Sequence, residues 1–241
     1  FDTTLIEKHG DLGGRARTFL HNNYKYDAGP TVITAPYLID ELFSIHSEKL
    51  SDYVNLLPVK PWYRFLFENG EYLDYGDKLS TTVKEIKLKY GYENASSYLK
   101  LVKHSKRIFN KAFIELSDEP FESLGSMVKH LPELIRIRFD RSVYQAVDKY
   151  IGNKNLNQAL SMHPLLVGGN PYSTTSIYLL IQYLEWKWGV FYAEGGTGKI
   201  VDGLEKLLLN KDVEIKKNTE AHKIIVSKNK VIGVETNEGI I

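Results

Sequence analysis

Apolar residues alternate with polar ones over short runs near both ends of the chain and recur at helical spacing through its middle. Thr3 to Ile6 predicts a strand, followed by a Gly-rich loop at Asp11 to Gly14 and a hairpin-like stretch carrying Phe19 and Tyr24 to Tyr26. Asp27-Ala28-Gly29-Pro30 is a turn signal. Leu38, Ile39, Leu42 and Phe43 predict an amphipathic helix from Pro36, with Ile45 extending its pattern. Val54 to Val59 and Trp62 to Phe67 predict strands, and Asn69-Gly70 predicts a hairpin leading into Glu71 to Tyr75.

Helical periodicity then dominates. It predicts helices over Thr82 to Leu88 and Ser97 to Leu116, with Ser80 as cap and Gly91 as stop. Further helices are expected over Ser123 to Leu134, Ser142 to Ile151, Asn155 to Leu166 and Ile177 to Tyr183. A short strand at Gly189 to Tyr192 enters Glu194-Gly195-Gly196-Thr197-Gly198. A helix with Ile200, Val201, Leu204, Leu207 and Leu208 on one face comes next. Val213 to Ile215, Ala221 to Val226 and Lys230 to Thr236 predict strands, the last two joined by a tight turn at Lys228-Asn229. Strand, then sheet and helices, then strand-helix-strand is the order of a second domain inserted into a dinucleotide-binding domain.

Composition narrows the chemistry. The 241 residues carry 31 basic and 30 acidic side chains, a net charge of +1, which argues against nucleic acid as a partner. Zero cysteines exclude disulfides, thiolate catalysis and Cys-based zinc sites, in keeping with a reducing compartment. Redox chemistry therefore requires a borrowed cofactor. No apolar run approaches the ~18–20 residues of a membrane-spanning helix. The seven histidines include no His-x-x-x-His pair, so no metal site is expected.

The candidate chemistry lies at the start of the chain. Glu7 ends the first strand, where an acid can hold a ribose, and Gly13-Gly14-Arg15 can approach a phosphate. The Gly-x-Gly-x-x-Gly turn that accompanies such an acid belongs about 20 residues before it, whereas six residues precede Glu7. The expectation is a chain lacking the first strand, phosphate loop and first helix of its domain. Gly195 to Gly198 does not complete a Walker pattern, because Ile200 follows Lys199, and reads as a turn opening a helix.

Five ordered segments carry a family likeness: Glu7 with Gly13-Gly14-Arg15-Ala16; Asp27-Ala28-Gly29-Pro30-Thr31; Leu56-Leu57-Pro58-Val59-Lys60-Pro61; Leu165-Leu166-Val167-Gly168-Gly169-Asn170-Pro171; and Glu194-Gly195-Gly196-Thr197-Gly198. Together they closely resemble the bacterial phytoene desaturase family, within the amine-oxidase-like flavoproteins. The resemblance implies a mixed α/β and α+β fold, with a Rossmann-type FAD-binding domain and an inserted substrate domain of antiparallel sheet plus helices. Residues 1–50 and 189–241 would form the FAD-binding domain, lacking its C-terminal part as well, and 51–188 the substrate- and membrane-facing domain.

The same resemblance implies FAD as cofactor and desaturation of phytoene toward neurosporene or lycopene. It places Glu7, Gly13, Gly14, Arg15, Ala16, Gly29, Pro30 and Thr31 at the cofactor. Ala221 is either a backbone contact of the adenine or a plain sheet residue. The implied partners are a long apolar polyene, a membrane surface approached peripherally from the cytoplasm, and a quinone or oxygen as electron acceptor. Other readings are a carotenoid isomerase, a desaturase of a shorter polyene, or a prenyl-chain carrier similar to Rab GDP-dissociation inhibitors.

Tyr144, Tyr172, Tyr178, Tyr183, Trp186 and Trp188 are candidate polyene contacts, against core packing for most of them. His163 is either a tunnel residue or a satisfied core histidine. Leu131 to Tyr150, with Arg136, Arg138, Arg141 and Lys149, reads as a membrane-docking amphipathic helix or as a solvated one. No catalytic residue is assigned: the family's acid aligns with Ser126, and its basic position with Lys129.

Overall fold

The computed structural model describes residues 2–115, 132, 135 and 137–241. Ser126 and Lys129 lie outside them, as does the expected helix Ser123 to Leu134 apart from position 132. In chain order the elements are β1 (Thr4–Ile6), β2 (Thr18–His21), β3 (Tyr24–Asp27), α1 (Pro36–Ser44), β4 (Leu56–Pro58), β5 (Tyr63–Leu66), β6 (Tyr72–Tyr75) and α2 (Leu79–Phe109). After them come α3 (Val143–Asp148), α4 (Lys154–Leu160), α5 (Leu180–Trp188), β7 (Phe191–Ala193), α6 (Gly198–Leu209), β8 (Glu214–Lys216), β9 (Ala221–Ser227), β10 (Lys230–Thr236) and β11 (Gly239–Ile240). Two compact units result: Phe1–Leu57 with Phe191–Ile241, and Pro58–Val190.

In the first unit β1 runs parallel to β8, Leu5 opposite Ile215. The strands β2 and β3 form a hairpin whose turn residues Asn22 and Asn23 take φ of 49° and 64°. Such angles match the right-handed twist of the flanking strands, which is why Asn-Asn serves there. Lys228 and Asn229, at φ 47° and 59°, repeat the device between the antiparallel β9 and β10. The core packs Phe43 of α1, Leu50, Val54, Ala193 and Leu207 of α6 together. Gly203 lets α6 sit close, since a Cβ there would stand 2.9 Å from Val54 Cγ2.

The second unit is built on the β5–β6 hairpin and the helices. Tyr75 is buried inside a cage of rings from Trp62, Tyr63, Phe65, Tyr98, His163 and Trp186. Ser105 Oγ donates to Gln182 Oε1 at 2.8 Å, tying α2 to α5.

Several boundaries differ from expectation for local reasons. Helix α2 begins at Leu79 without a side-chain cap, so Ser80 is not the cap; Thr82 Oγ1 instead accepts from the Gly76 amide at 3.1 Å. Gly91 interrupts α2, as expected of a stop between two helical stretches. It kinks the helix, at φ 86° and ψ 167°, and the released Tyr90 carbonyl accepts from Asn94 Nδ2 at 2.8 Å. The last turn is a π-helix, Asn110–Glu115.

Residues 137–140 form a turn ahead of α3, so Leu131 to Tyr150 is not one helix: Ser142 starts a new one with a complete capping box. Pro164, lacking an amide hydrogen, marks the change from α4 to the 3-10 helix His163–Val167. A 3-10 turn, Ser176–Leu179, precedes α5 in place of the α-helix expected from Ile177.

In the capping box, Ser142 Oγ accepts from the Gln145 amide at 3.2 Å and Gln145 Oε1 accepts from the Ser142 amide at 3.1 Å. Ser142→Ala is expected to destabilise the protein by about 1 kcal/mol, read as a lower midpoint in chemical denaturation. An unchanged midpoint would show that the box contributes nothing.

Candidate functional site

Glu7 leaves β1 with its amide donating to the Lys216 carbonyl and its carbonyl accepting from the Thr219 amide, both at 2.9 Å. These bonds fix the acid at the carboxyl end of the parallel pair, where open α/β sheets bind ligands. Its Oε1 accepts from the His9 amide at 2.8 Å. Among the described residues Oε2 has no hydrogen-bond partner, so one oxygen of the half-buried carboxylate stays available as an acceptor.

The next turn is shaped by glycine. Gly13 has φ 102°, and a Cβ there would stand 2.7 Å from Val201 Cγ2 of α6. Gly14 has φ 50° and no atom within 4 Å of a Cβ position, leaving its backbone open on that side. A single 3-10 turn, Gly14–Ala16, follows. Arg15 is exposed and makes no ion pair with any described residue. Gly29 packs directly on this turn: a Cβ at Gly29 would lie 2.1 Å from the Arg15 carbonyl oxygen. The Ala28 amide donates to Arg17 O at 2.9 Å. The structure therefore brings Gly13 to Ala16 together with Gly29 and Pro30.

A carboxylate that sequence reasoning passed over fastens the remaining motif to them. Asp27 Oδ1 accepts from Thr18 Oγ1 and from the Thr197 amide, each at 3.0 Å. Thr18 Oγ1 in turn accepts from the Gly198 amide at 3.1 Å, and Thr197 Oγ donates to the Pro30 carbonyl at 2.7 Å. The approach is possible because a Cβ at Gly196 would stand 2.7 Å from Asp27 Oδ1 and one at Gly198 2.4 Å from Thr18 Oγ1. Nothing in the sequence links Asp27 and Thr18 to the Gly-Gly-Thr-Gly run, which lies far along the chain.

A cavity of about 220 Å³ opens beside these turns, with Arg17, Thr18, Lys25, Gly195, Gly198 and Lys199 among its lining. Glu7, Gly13 to Ala16, Gly29 to Thr31 and Ala221 do not line it. Ala221 begins β9, opposite Thr236, two residues after the Thr219 that bonds Glu7. Thr31 is exposed.

The aromatic candidates scatter. Trp186 belongs to the Tyr75 cage and donates Nε1–H to Tyr98 Oη at 3.0 Å. Tyr183 and Trp188 pack on Phe109. Tyr144 and Tyr172 pair with each other at 4.6 Å between ring centroids, and Tyr172 and Tyr178 are exposed. His163 is a core residue: its Nε2 meets Glu185 Oε2 at 3.1 Å, and the same buried carboxylate accepts from Tyr63 Oη at 2.8 Å. Burial first, and then the Glu185 charge, hold the Tyr63 phenol well above its ordinary pKa. No group of three or more metal-ligating side chains occurs among the described residues.

Comparison with known proteins identifies the family. The family model for flavin containing amine oxidoreductases matches residues 1–240. The chain belongs to that family. It is 38% identical over 239 residues to the lycopene-forming phytoene desaturase of Pseudescherichia vulneris, covering 99% of this chain and 48% of that protein. It is 31% identical over 241 residues to the neurosporene-forming phytoene desaturase of Rhodobacter capsulatus, covering 99% and 46%. The chain thus spans about half the length of the curated relatives it matches.

An oxidoreductase from Methanosarcina mazei shares the fold at a TM-score of 0.60 and 14% identity, over 100% of this chain and 51% of that one. The mixed α/β fold with a Rossmann-type region is that of the flavoprotein family, and an available acid and an open glycine turn in it suit a dinucleotide.

Gly29→Ala is expected to destabilise the protein by about 2–4 kcal/mol, because a backbone carbonyl blocks the added methyl. Gly14→Ala, with free space but a left-handed φ, should lose about 1 kcal/mol. Denaturation midpoints of the two variants check the order; equal losses would refute the packing of Gly29 on the Arg15 carbonyl.

Proposed function

We propose that the protein is an FAD-dependent oxidoreductase acting on CH–CH bonds, a phytoene desaturase forming lycopene or neurosporene. The observation that carries this reading is the 38% identity to a lycopene-forming desaturase over 99% of the chain, on a scaffold whose motif turns are joined to one another. Glu7 accepts hydrogen bonds from the ribose hydroxyls of the adenosine half through its available oxygen. Arg15 and the Gly13–Ala16 turn offer donors to the pyrophosphate. Gly29, Pro30 and Thr31 supply rigid backbone beside the flavin, braced by the Thr197 hydroxyl on Pro30.

When bound, FAD supplies the hydride acceptor. What this chain contributes is cofactor placement and an apolar, water-poor surrounding for the substrate. A quinone or oxygen reoxidises the system. Leu165 and Val167, 61% and 57% exposed within a family motif, support an apolar ligand or a lipid surface at that segment. The protein works from the cytoplasm as a peripheral membrane enzyme. No helix among the described residues is long and apolar enough to cross a membrane.

Expression of the full-length gene in a phytoene-accumulating host, followed by pigment chromatography, is expected to convert phytoene to lycopene or neurosporene. Unconverted phytoene alongside folded, flavin-loaded protein would refute the assignment. Protein that purifies colourless and takes up no FAD would point to a carrier. In the full-length protein Glu7→Ala should weaken FAD binding by about 1–3 kcal/mol, measured by flavin fluorescence titration; equal affinity would remove Glu7 from the site.

A further inference from the structure

A cavity of about 410 Å³ in the Pro58–Val190 unit is lined by none of the residues the flavin reading uses. Among the described residues, five cationic side chains line it, Arg107, Lys111, Arg138, Arg141 and Lys149, against a single carboxylate, Glu115. That carboxylate is committed to Lys111 at 2.7 Å, and the Lys111 side chain is only 12% exposed. Arg107, Arg138, Arg141 and Lys149 form no ion pair with any described residue. Like charges gathered on a concave wall repel one another, and an anion relieves that cost.

The wall is prearranged. Arg138 holds φ 64°, a conformation a long side chain adopts only when its surroundings impose it. Those surroundings are visible: the carbonyls of Arg138, Phe139 and Arg141 accept from Ser176 Oγ, Thr175 Oγ1 and the Ser176 amide, each at 2.7 Å. Three bonds from Thr175 and Ser176, at the start of the 3-10 turn Ser176–Leu179, thus set the backbone of both arginines in advance, which lowers the ordering cost of binding.

His104 completes one side as a settled group, its Nδ1 2.9 Å from Tyr150 Oη and its Nε2 3.3 Å from the Ile137 carbonyl. Burial holds its pKa below the ordinary value, and the charges of Arg107, Lys149 and Arg138 push the same way against the Ile137 hydrogen bond. It therefore adds a neutral wall.

We propose that this cavity binds a phosphate group, with Arg138 and Arg141 as forked donors and Arg107, Lys111 and Lys149 supplying the surrounding field. Guanidinium forks match phosphate oxygens two at a time. Two sources share that chemistry: a soluble phosphate or diphosphate, and the phosphodiester of an anionic lipid headgroup. Confinement of the cations to one hollow, in a chain of net charge +1, sets this site apart from a nucleic-acid surface.

The test uses the full-length protein and two probes: inorganic pyrophosphate by titration calorimetry, and co-sedimentation with phosphatidylcholine vesicles with or without phosphatidylglycerol. The double variant Arg138→Gln, Arg141→Gln is expected to weaken binding about tenfold or more. The double variant Lys100→Gln, Lys103→Gln, an equal loss of charge at exposed residues off the cavity, should leave it unchanged. Pyrophosphate binding alone assigns the site to soluble phosphates. Preference for phosphatidylglycerol vesicles, lost in the double variant, assigns it to headgroups. Absence of binding to both probes, or a double variant that binds as the wild type does, overturns the proposal. Should the double variant fail to fold, Lys149→Gln must weaken binding about threefold or more, and unchanged binding overturns the proposal equally.

Discussion

The carboxylate of Asp27 is the constraint on which the first unit depends. One oxygen serves a hydroxyl from β2 and an amide from the Gly195–Gly198 turn, residues 170 positions apart in sequence in the second case. Hydrogen bonds to a charged acceptor contribute about 1.5–3 kcal/mol each, and here they are made at distances only glycine permits. Removing the Cβ at Gly196 and Gly198 is what allows amide and carboxylate to meet. From that joint the Thr197 hydroxyl reaches Pro30, and Gly29 seats on the Arg15 carbonyl. The Gly13–Ala16 turn, the Gly29–Pro30 segment and the Gly195–Gly198 turn are thereby aligned through close contacts that tolerate little substitution.

Much of this was legible in the chain and some was not. Asn69-Gly70, Lys228-Asn229 and Ser142 declared themselves because turn and cap chemistry is local. The break at Gly91 is equally local, because a glycine of positive φ ends a helical stretch. A second stretch follows it directly, where Asn94 takes up the Tyr90 carbonyl and Tyr98, Leu101 and Val102 are buried. Glu7 and the Gly13–Arg15 turn were visible from their order along the chain. The partner of Asp27 was not, because it lies on a different element far away. Nor was the basic cavity, whose five cations come from α2, its π-helical end, the 137–141 turn and the end of α3.

In the Pro58–Val190 unit the corresponding constraint is aromatic. Tyr75 is enclosed by six rings, and Glu185, fully buried, is shared by Tyr63 and His163. A buried carboxylate with fewer partners would be costly; here the two hydrogen bonds offset its desolvation and fix Tyr63 and His163 against the cage. His163, which the sequence leaves as either a tunnel residue or a core histidine, is thus part of the framework, while the apolar side chains of Leu165 and Val167 are exposed.

The central claim is that Asp27 joins the hairpin to the Gly195–Gly198 turn and so holds the Gly13–Ala16 and Gly29–Pro30 segments in place. Amide hydrogen exchange across residues 194–199, compared between the full-length protein and its Asp27→Ala variant, tests it most directly. The account predicts that the Thr197 and Gly198 amides lose their protection in the variant while α2 keeps its own. Unchanged protection at Thr197 and Gly198 would contradict it.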